Sequence, residues 1–322
     1  MSSDNVLEVK GLTISLLLGG SYFEVVRDVS FSIAKGESIG ILGESGCGKS
    51  LTGASLLRVL PHPFAKVTKG EIFFKGEPLH LMGHKEFNHK FRWREASMIF
   101  QESSAAINPV VKIGKQFAGV LKRVQADFTK AKYLLKECGL PDGDRILNSY
   151  PHELSGGMKQ RVMIAMSLAG NPDLLVADEP TTATDATVQT QILDLLLEIQ
   201  AKRGMSIIFI SHDFRLIKKM CRYVHVMYCG KIVETQLTDE LLKQPQHHYT
   251  KGLIDSRLSL KVAPKSRLTS IKGVVPPIEK WHKGCSFFER CEFSSPKCKL
   301  EEPPCVTTSD KARLACWFPV KR

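Results

Sequence analysis

The first residues that could do chemistry form a glycine-rich run, Gly43-Glu-Ser-Gly-Cys-Gly-Lys49-Ser50, directly after an apolar segment. Glycines at this spacing let the backbone curl so that successive N–H groups point into one concavity, which can hold phosphate oxygens. The lysine that closes such a loop reaches the β- and γ-phosphates of a nucleotide, and the next hydroxyl can ligate Mg²⁺. The run predicts a phosphate loop whose nucleotide-binding residues are Gly43, Glu44, Ser45, Gly46, Cys47, Gly48, Lys49, Ser50 and Leu51.

A pair of carboxylates, Asp178 and Glu179, ends a second apolar segment. Open α/β sheets bind their ligands at the carboxyl ends of strands, so both side chains are expected near the phosphate loop. Asp178 suits a water-mediated contact to Mg²⁺, and Glu179 suits a general base that polarises the attacking water. An isolated Asp-Glu pair would more often be an ordinary acidic turn, but a preceding phosphate loop favours the catalytic interpretation.

Two more polar residues follow apolar segments. His212 comes after residues 207–211, and we expect it to contact the γ-phosphate and to orient Glu179. Gln101 comes after residues 98–100, where it could sense Mg²⁺ and the γ-phosphate. A lone histidine is more often structural, but its place at the end of an apolar strand favours a functional role. The predicted catalytic residues are Lys49, Gln101, Glu179 and His212, and the predicted Mg²⁺ ligands are Ser50, Gln101 and Asp178.

These residues need strands and helices in a set order to position them. Apolar alternation and glycine or proline boundaries predict strands, whereas apolar residues three or four apart predict helices. Residues 110–170 have helical patterns with little strand signal, which predicts a helical insert within an α/β core. The predicted strands are 6–18, 25–33, 37–42, 70–76, 174–177 and 206–210, with a hairpin over 224–233; the predicted helices are 49–60, 111–124, 130–138 and 188–202.

Bulk composition limits the class of protein. At 322 residues and 43% apolar content, the chain can bury one large core and a smaller appended unit. No run approaches the roughly 20 apolar residues that span a bilayer, and the N-terminus lacks the layout of a secretory signal. The chain is therefore expected in the cytosol unless another protein holds it at a membrane.

The net charge of +12 is concentrated toward the C-terminus, in residues 251–322. A basic tail could meet nucleic acid, anionic lipid or an acidic protein surface, but a solvated basic face is the commoner explanation. Because no zinc finger or RNA-binding signature accompanies the charge, no nucleic-acid partner is expected.

The phosphate loop, Gln101, the phrase Leu154-Ser155-Gly156-Gly157-Met-Lys-Gln160, the Asp178-Glu179 pair and His212 occur in that order. In this arrangement residues 5–235 resemble the ATP-binding cassette family. The resemblance implies an α/β fold: a P-loop NTPase (RecA-like) core with an antiparallel β subdomain, a helical insert subdomain and a small Cys-rich C-terminal extension. The implied domains are a nucleotide-binding domain over 1–235, with its helical subdomain at roughly 102–168, and an extension over 236–322 with its Cys-rich end at roughly 284–317.

The resemblance also implies roles for residues that contact a second subunit. Ser155, Gly156 and Gly157 look like the signature that binds ATP held by the opposing cassette. Asp185 looks like the aspartate of the loop that crosses the dimer interface, although Thr184 stands where the family usually has leucine.

The sequence offers two aromatic candidates for the residue that stacks on adenine. The register of the run Leu12-Thr-Ile-Ser-Leu16 puts leucine where the family often has an aromatic side chain, and Tyr22 or Phe23 could replace it. Either aromatic residue could equally pack in the hairpin core; Tyr22 is the residue we assign to adenine.

Three phrases resemble the ATPase subunits of oligopeptide, dipeptide or nickel importers: Phe100-Gln-Glu-Ser-Ser-Ala-Ala-Ile-Asn-Pro109, Gln244-Pro-Gln-His-His-Tyr-Thr250 and Pro276-Pro277 with Gly284-Cys-Ser-Phe-Phe-Glu-Arg-Cys291. The resemblance implies ATP and Mg²⁺ as cofactors and a head-to-tail dimer that drives transport. The implied partners are a second, different ATPase subunit, two integral-membrane permease subunits and an extracytoplasmic substrate-binding protein. It places the chain peripherally at the cytoplasmic face of the cell membrane.

Nine cysteines are present, and five lie near the C-terminus. A cytosolic chain favours thiols or a metal site over stable disulfides, but the spacing alone leaves these alternatives open. Cys305 stands where an apolar residue is more usual and is interpreted as a bystander. The tail pattern of the resembled subfamily implies that a [4Fe–4S] cluster or zinc could be held by Cys285, Cys291, Cys298 and Cys316.

Two other functions remain open from the sequence. A soluble cassette ATPase acting on nucleic acid or ribosomes could use the basic tail, but such proteins usually carry two cassettes or a large coiled-coil insertion. A regulatory cassette that binds ATP without hydrolysing it is disfavoured because Glu179 and His212 are both present.

Overall fold

The computed structural model describes residues 5–101, 106–181, 185–258, 271–281, 283–308 and 311–320. Its strands are β1 (Asn5–Leu18), β2 (Ser21–Ala34), β3 (Ser38–Leu42), β4 (Ala65–Phe74), β5 (Glu77–Pro78), β6 (Ala96–Ile99), β7 (Leu174–Asp178), β8 (Ser206–Ser211), β9 (Tyr223–Tyr228), β10 (Lys231–Leu237), β11 (Val306–Thr307) and β12 (Arg313–Leu314).

Helices follow many of these strands, and several consecutive helices lie between β6 and β7. The helices are α1 (Lys49–Leu56), α2 (His84–Glu86), α3 (Ile113–Val124), α4 (Thr129–Glu137), α5 (Gly143–Asn148), α6 (Gly156–Ser167), α7 (Ala186–Arg203), α8 (Phe214–Met220), α9 (Thr238–Lys243), α10 (His248–Leu258) and α11 (Pro296–Leu300). Single 3₁₀ turns occur at Leu79–Leu81, Pro151–Glu153, Ile278–Lys280 and Phe288–Arg290, and a π turn at Phe87–Phe91.

The strands of the described residues form two β-sheets. The larger has the strand order β11-β12-β10-β9-β3-β8-β7-β6, and β9, β3, β8, β7 and β6 pair in parallel. The smaller is antiparallel, with the order β2-β1-β4-β5. The parallel strands β3, β6, β7 and β8 are buried along their whole length because both faces of their sheet are covered.

Strand alternation divides the interior into two cores. In β8, Ile208 and Ile210 face a core shared with the antiparallel sheet and α1. Ile207 and Phe209 face the other core, which contains the helices after β6. The parallel sheet is therefore the middle layer, and its strand ends are held rigidly from both sides.

Helices α3 to α6 form the predicted helical insert. In α3, Ile113, Phe117 and Leu121 are fully buried at a spacing of four residues, which gives the helix one apolar face. The N-terminus of α5 is capped by Asp142, and that of α6 by Ser155, whose side chain accepts a hydrogen bond from the N–H of Met158. Caps and apolar stripes together explain why this segment is helical.

The C-terminal extension is built onto the edge of the main sheet. Strand β12 pairs with β10, and the buried Glu234 of β10 accepts hydrogen bonds from the N–H groups of Gln246 and His247. Beside them the rings of Tyr228, Tyr249 and Phe287 pack with centroids 4.5 to 5.4 Å apart. The extension therefore shares its core with the nucleotide-binding unit, and the division at residue 235 stays a prediction.

Most predicted elements lie where the sequence placed them, but the helix predicted over 49–60 ends at Leu56. Arg58 takes a φ of 52°, a left-handed conformation that cannot continue an α-helix. Pro61 predicts a later end of the helix, but the backbone changes direction at Arg58, before that proline.

Among the described residues, no helix combines the length and apolar character that crossing a bilayer requires.

The extension should contribute measurably to the stability of the chain. Phe287→Ala removes a side chain that is 4% exposed, so we expect a loss of about 3–5 kcal/mol of unfolding free energy and a lower thermal midpoint. Phe64→Ala is the matched control, since that ring is 56% exposed. Equal midpoints for the two variants would show that the extension is not part of the folded core.

Candidate active site

The phosphate loop lies between β3 and α1 and is packed too tightly for side chains at two of its glycines. A Cβ on Gly43 would lie 2.2 Å from the carbonyl oxygen of Met227, and one on Gly48 would lie 2.9 Å from that of Val25. Gly46 has a φ of 81° and faces open space, so the loop curls around an accessible concavity. The cradle fits a phosphate group at the N-terminus of α1.

Lys49 is the first residue of α1, and its ammonium group folds back over the loop. Nζ donates to the carbonyl oxygens of Gly43 and Glu44 at 2.8 and 3.0 Å. The side chain is buried, and Nζ lies 3.9 Å from the Sγ of Cys47. The lysine charge is thus fixed at the concavity, where it can bind phosphate oxygens.

Ser50 and Asp178 meet across the site although they are far apart in the chain. The Ser50 hydroxyl donates to Oδ1 of Asp178 at 3.1 Å. Burial raises the pKa of the Asp178 carboxyl to about 6; the hydrogen bond from Ser50 lowers it and the nearby negative charge of Glu179 raises it. A hydroxyl and a carboxylate beside a phosphate cradle are a donor set that fits Mg²⁺.

Glu179 is contacted by two of the other three predicted catalytic side chains, those of His212 and Gln101. Nδ1 of His212 lies 2.9 Å from its Oε1, and Nε2 of Gln101 donates to its Oε2 at 3.3 Å. The residue has a φ of 43°, a conformation that costs a non-glycine residue about 1–2 kcal/mol. A hydrogen bond from its N–H to the Ile210 carbonyl at 2.9 Å holds it there. This backbone conformation places the carboxylate against His212 and Gln101.

The residues that resemble a signature lie on the surface of the helical insert. Ser155 and Gly156 are exposed at the start of α6, and a Cβ on Gly157 would lie 3.0 Å from a methyl of Val188 in α7. Asp185 is also exposed and caps α7 by accepting from the N–H groups of Thr187 and Val188 at 3.0 and 2.9 Å. Both features can be reached by a second molecule.

Tyr22 lies on the hairpin of β1 and β2, where it pairs with Leu17. Its side chain is 47% exposed, and the ammonium of Lys66 lies 3.8 Å from the ring centroid. Three residues further along β2, the Val25 carbonyl packs against Gly48. The role of Tyr22 in adenine binding stays a prediction.

Two residues that sequence reasoning did not assign to the site contact the phosphate loop from the C-terminal extension. The buried Tyr249 hydroxyl accepts a hydrogen bond from the Glu44 N–H at 2.9 Å. Arg290 forms two hydrogen bonds with the Glu44 carboxylate, at 2.7 and 3.1 Å. Both lie within phrases that resemble importer ATPase subunits but carry no local signal for a contact with the loop.

The four C-terminal cysteines that could hold a metal are neighbours. Cys285, Cys291 and Cys316 are each affected electrostatically by Cys298, and burial raises the pKa of Cys285 and of Cys316 to about 11. The backbone joins two of them, since the Cys285 N–H donates to the Cys298 carbonyl at 2.7 Å. Across the described ranges, however, no three His, Cys, Asp or Glu side chains are arranged as metal ligands.

The sequence matches two family models. An ABC transporter model covers residues 26–182. A model described as the oligopeptide/dipeptide transporter C-terminal region covers residues 233–298.

Curated relatives align along nearly the whole chain. The oligopeptide transport ATP-binding protein OppD of Bacillus subtilis (strain 168) is 41% identical, over 97% of this chain and 88% of that protein. The dipeptide transport ATP-binding protein DppD of the same strain is 41% identical, over 99% and 96%. The probable D,D-dipeptide transport ATP-binding protein DdpD of Escherichia coli (strain K12) is 38% identical, over 98% and 97%.

Solved structures support the fold. A dimeric ATP-binding cassette in a post-hydrolysis state with ADP and Pi superposes with a TM-score of 0.63 at 23% identity, over 72% of this chain and 98% of that one. A second dimeric structure of the same cassette, described as a bacterial ABC transporter cassette, gives the same TM-score at 24% identity. The predicted fold class, an α/β P-loop NTPase core with its added subdomains, is confirmed.

The pKa of Asp178 predicts how Mg²⁺-dependent nucleotide binding changes with pH. Only the ionised carboxylate attracts the cation, whether directly or through a bound water, so protons compete with Mg²⁺ as the pH falls through about 6. We expect the affinity gain from Mg²⁺ to shrink between pH 7.5 and 5.5, as measured by calorimetric titration with ATP. The matched titration in excess chelator corrects for other groups; a Mg²⁺ gain that is constant over this range would contradict the assignment.

Proposed function

The chain belongs to the ATP-binding cassette transporter family, and from this membership we propose that it is the ATP-hydrolysing subunit of a membrane importer for oligopeptides or dipeptides. The enzyme class is an ATPase. The importer assignment extends to this chain what the names of its relatives say of them.

One observation carries the hydrolytic part of the proposal. Glu179 is held by His212 on one carboxylate oxygen and by Gln101 on the other, next to the Ser50–Asp178 pair. A cassette that only bound ATP would not need a general base fixed at both oxygens. This arrangement therefore supports turnover rather than a regulatory role.

The proposed reaction is hydrolysis of the γ-phosphoryl group of ATP. Glu179 accepts a proton from water as the water oxygen bonds to the γ-phosphorus and the bond to the β–γ bridging oxygen breaks. Lys49 and the loop N–H groups stabilise the negative charge on the phosphate oxygens. His212 orients Glu179 and would contact the γ-phosphate. When bound, Mg²⁺ would be held by Ser50, Asp178 and Gln101 and would neutralise phosphate charge.

We propose that the working unit contains two cassettes arranged head to tail. Support comes from the exposed positions of Ser155, Gly156 and Asp185, which a second subunit can reach. The start of α6 carries the positive end of a helix dipole, which suits contact with the phosphate of a facing site. The second cassette is proposed to be a different chain, as in the importers that this sequence resembles.

We also propose that two integral-membrane permease subunits bind this unit at the cytoplasmic face of the cell membrane. An extracytoplasmic substrate-binding protein would deliver the cargo to the permeases. Support comes from the family match at residues 233–298, whose description names oligopeptide and dipeptide transporters. Because those names refer to peptides, we favour peptide cargo over nickel.

Replacement of the proposed base tests hydrolysis. Glu179→Gln keeps the shape but cannot accept the proton, so turnover should fall roughly 10²–10⁴-fold while ATP binding is retained. The matched control is Glu198→Gln, an exposed position on α7. Phosphate release and nucleotide binding would be measured on the same samples; undiminished turnover in Glu179→Gln would contradict the role of Glu179.

Purification from the native membrane tests the importer. We expect two multi-spanning proteins and a second cassette to accompany the chain, with peptide uptake lost in the Glu179→Gln strain. Loss of nickel uptake with intact peptide uptake would replace the cargo assignment. Recovery of nucleic acid or ribosomes without any membrane subunit would contradict transport.

We propose, as a separate point, that Cys285, Cys291, Cys298 and Cys316 bind a [4Fe–4S] cluster or zinc. The support is the four thiol ligands that they supply, together with the electrostatic effect of Cys298 on Cys285, Cys291 and Cys316 and the backbone hydrogen bond between Cys285 and Cys298. Their arrangement in this structure is not itself that of a metal site. Because the raised pKa values of Cys285, Cys291 and Cys316 keep these thiols protonated at neutral pH, metal binding would have to displace protons.

Metal content of oxygen-free samples tests this point. We expect visible charge-transfer absorption for a cluster, or stoichiometric zinc, and loss of either in Cys298→Ser. Cys305→Ser is the matched control because its side chain is exposed and outside the group. Neither absorption nor metal in the wild type would leave free thiols or a disulfide as the state of these cysteines.

A further inference from the structure

Among the described residues, Glu44 is the residue of the phosphate loop that forms hydrogen bonds with the C-terminal extension. The Glu44 N–H donates to Tyr249, its carbonyl accepts from Lys49, and its carboxylate accepts from Arg290. All three groups of this residue are therefore fixed, two of them by side chains from beyond residue 236. The loop's conformation and the position of the Lys49 ammonium depend on these contacts.

In the Arg290–Glu44 pair, the Arg290 side chain is shielded from water. Only 6% of the Arg290 side chain is exposed, against 29% for Glu44. The two parallel hydrogen bonds, at 2.7 and 3.1 Å, are the geometry in which a guanidinium binds a carboxylate most specifically. A pair of this kind both neutralises the carboxylate and fixes its direction.

Arg290 is itself held firmly by its own segment. Its Nε donates to the Lys272 carbonyl at 3.0 Å, and the residue ends the 3₁₀ turn Phe288–Arg290. That turn is bracketed by Cys285 and Cys291, whose backbone groups hydrogen-bond to Phe288. The position of the guanidinium is thus set by the fold of the cysteine-rich end.

We propose that Arg290 is a positioning residue for ATP: it neutralises Glu44 and thereby lets the phosphate loop accept the triphosphate. This inference rests on the proposed nucleotide site. Without Arg290, Glu44 would place an uncompensated negative charge next to the anionic phosphates, and its carboxylate would no longer be fixed. The extension is then part of the ATP-binding machinery and not only an appendage.

A double-mutant cycle in the full-length chain tests the proposal. Arg290→Ala should raise the KM and Kd for ATP roughly three- to tenfold, with a much smaller change in kcat. The same substitution in a Glu44→Gln background should have less than about a twofold effect, because the charge to be neutralised is gone. The defect of Arg290→Ala should also shrink at high salt, since ionic screening weakens charge repulsion.

Two further variants keep the result interpretable. Lys272→Ala removes an exposed positive charge from the same segment without contacting Glu44, so its KM should match that of the wild type. Arg290→Lys keeps the charge but not the paired hydrogen bonds, so its KM should lie between wild type and Arg290→Ala. It replaces Arg290→Ala in the cycle if thermal unfolding shows that the alanine variant does not fold.

The outcomes separate this inference from the proposed nucleotide site. If Lys49→Ala abolishes ATP binding but the Arg290 substitution has the same effect in the wild-type and the Glu44→Gln backgrounds, the positioning role is overturned and the nucleotide site stands. If Lys49→Ala binds ATP normally, the nucleotide site itself is wrong. An energetic coupling between Arg290 and Glu44, with salt dependence, supports the proposal.

Discussion

The register of four parallel strands is the constraint on which the rest of the site depends. Leu42 pairs with Ser211, and Asp178 with Ile210, so the strands that precede the phosphate loop, His212 and Glu179 end at nearly the same level. On the next strand Ile99 pairs with Ala177, which brings Gln101 to the same edge. A shift of one strand by one residue would turn its side chains to the opposite face and move its loop out of reach. Buried residues on both faces of the sheet prevent such a shift.

The strained backbone conformation of Glu179 also positions a side chain of the site. Strand β7 ends with Asp178 facing Ser50, and a continued strand would point the next side chain to the other face of the sheet. The left-handed backbone of Glu179 instead brings its carboxylate to Gln101 and His212. Backbone strain of this kind persists only where the surrounding structure fixes it, and the hydrogen bond to the Ile210 carbonyl does so here.

Much of this organisation could be predicted from the sequence because its signals are local. The glycine run and the apolar segments before Gln101, Asp178 and His212 each specify a strand that ends in a loop, and α/β sheets gather such ends at one edge. The end of α1 was misplaced because proline is a strong signal, whereas the reversal at Arg58 has none. The contacts of Glu44 with Tyr249 and Arg290 join residues 205 and 246 positions apart, and no periodicity or spacing indicates them. Only the folded extension brings them together.

We propose that these strand ends form one hydrolytic site and that a second cassette completes it. The most direct measurement is a cryo-EM structure of the membrane complex with Mg²⁺ and ATP, trapped by a substitution at Glu179. We expect the γ-phosphate to lie between Lys49 and the side chains of Glu179 and His212, and Ser155 of this chain to contact nucleotide held by the other cassette. Nucleotide bound away from the loop at 43–50, or Ser155 facing solvent in the closed ATP-bound complex, would contradict it.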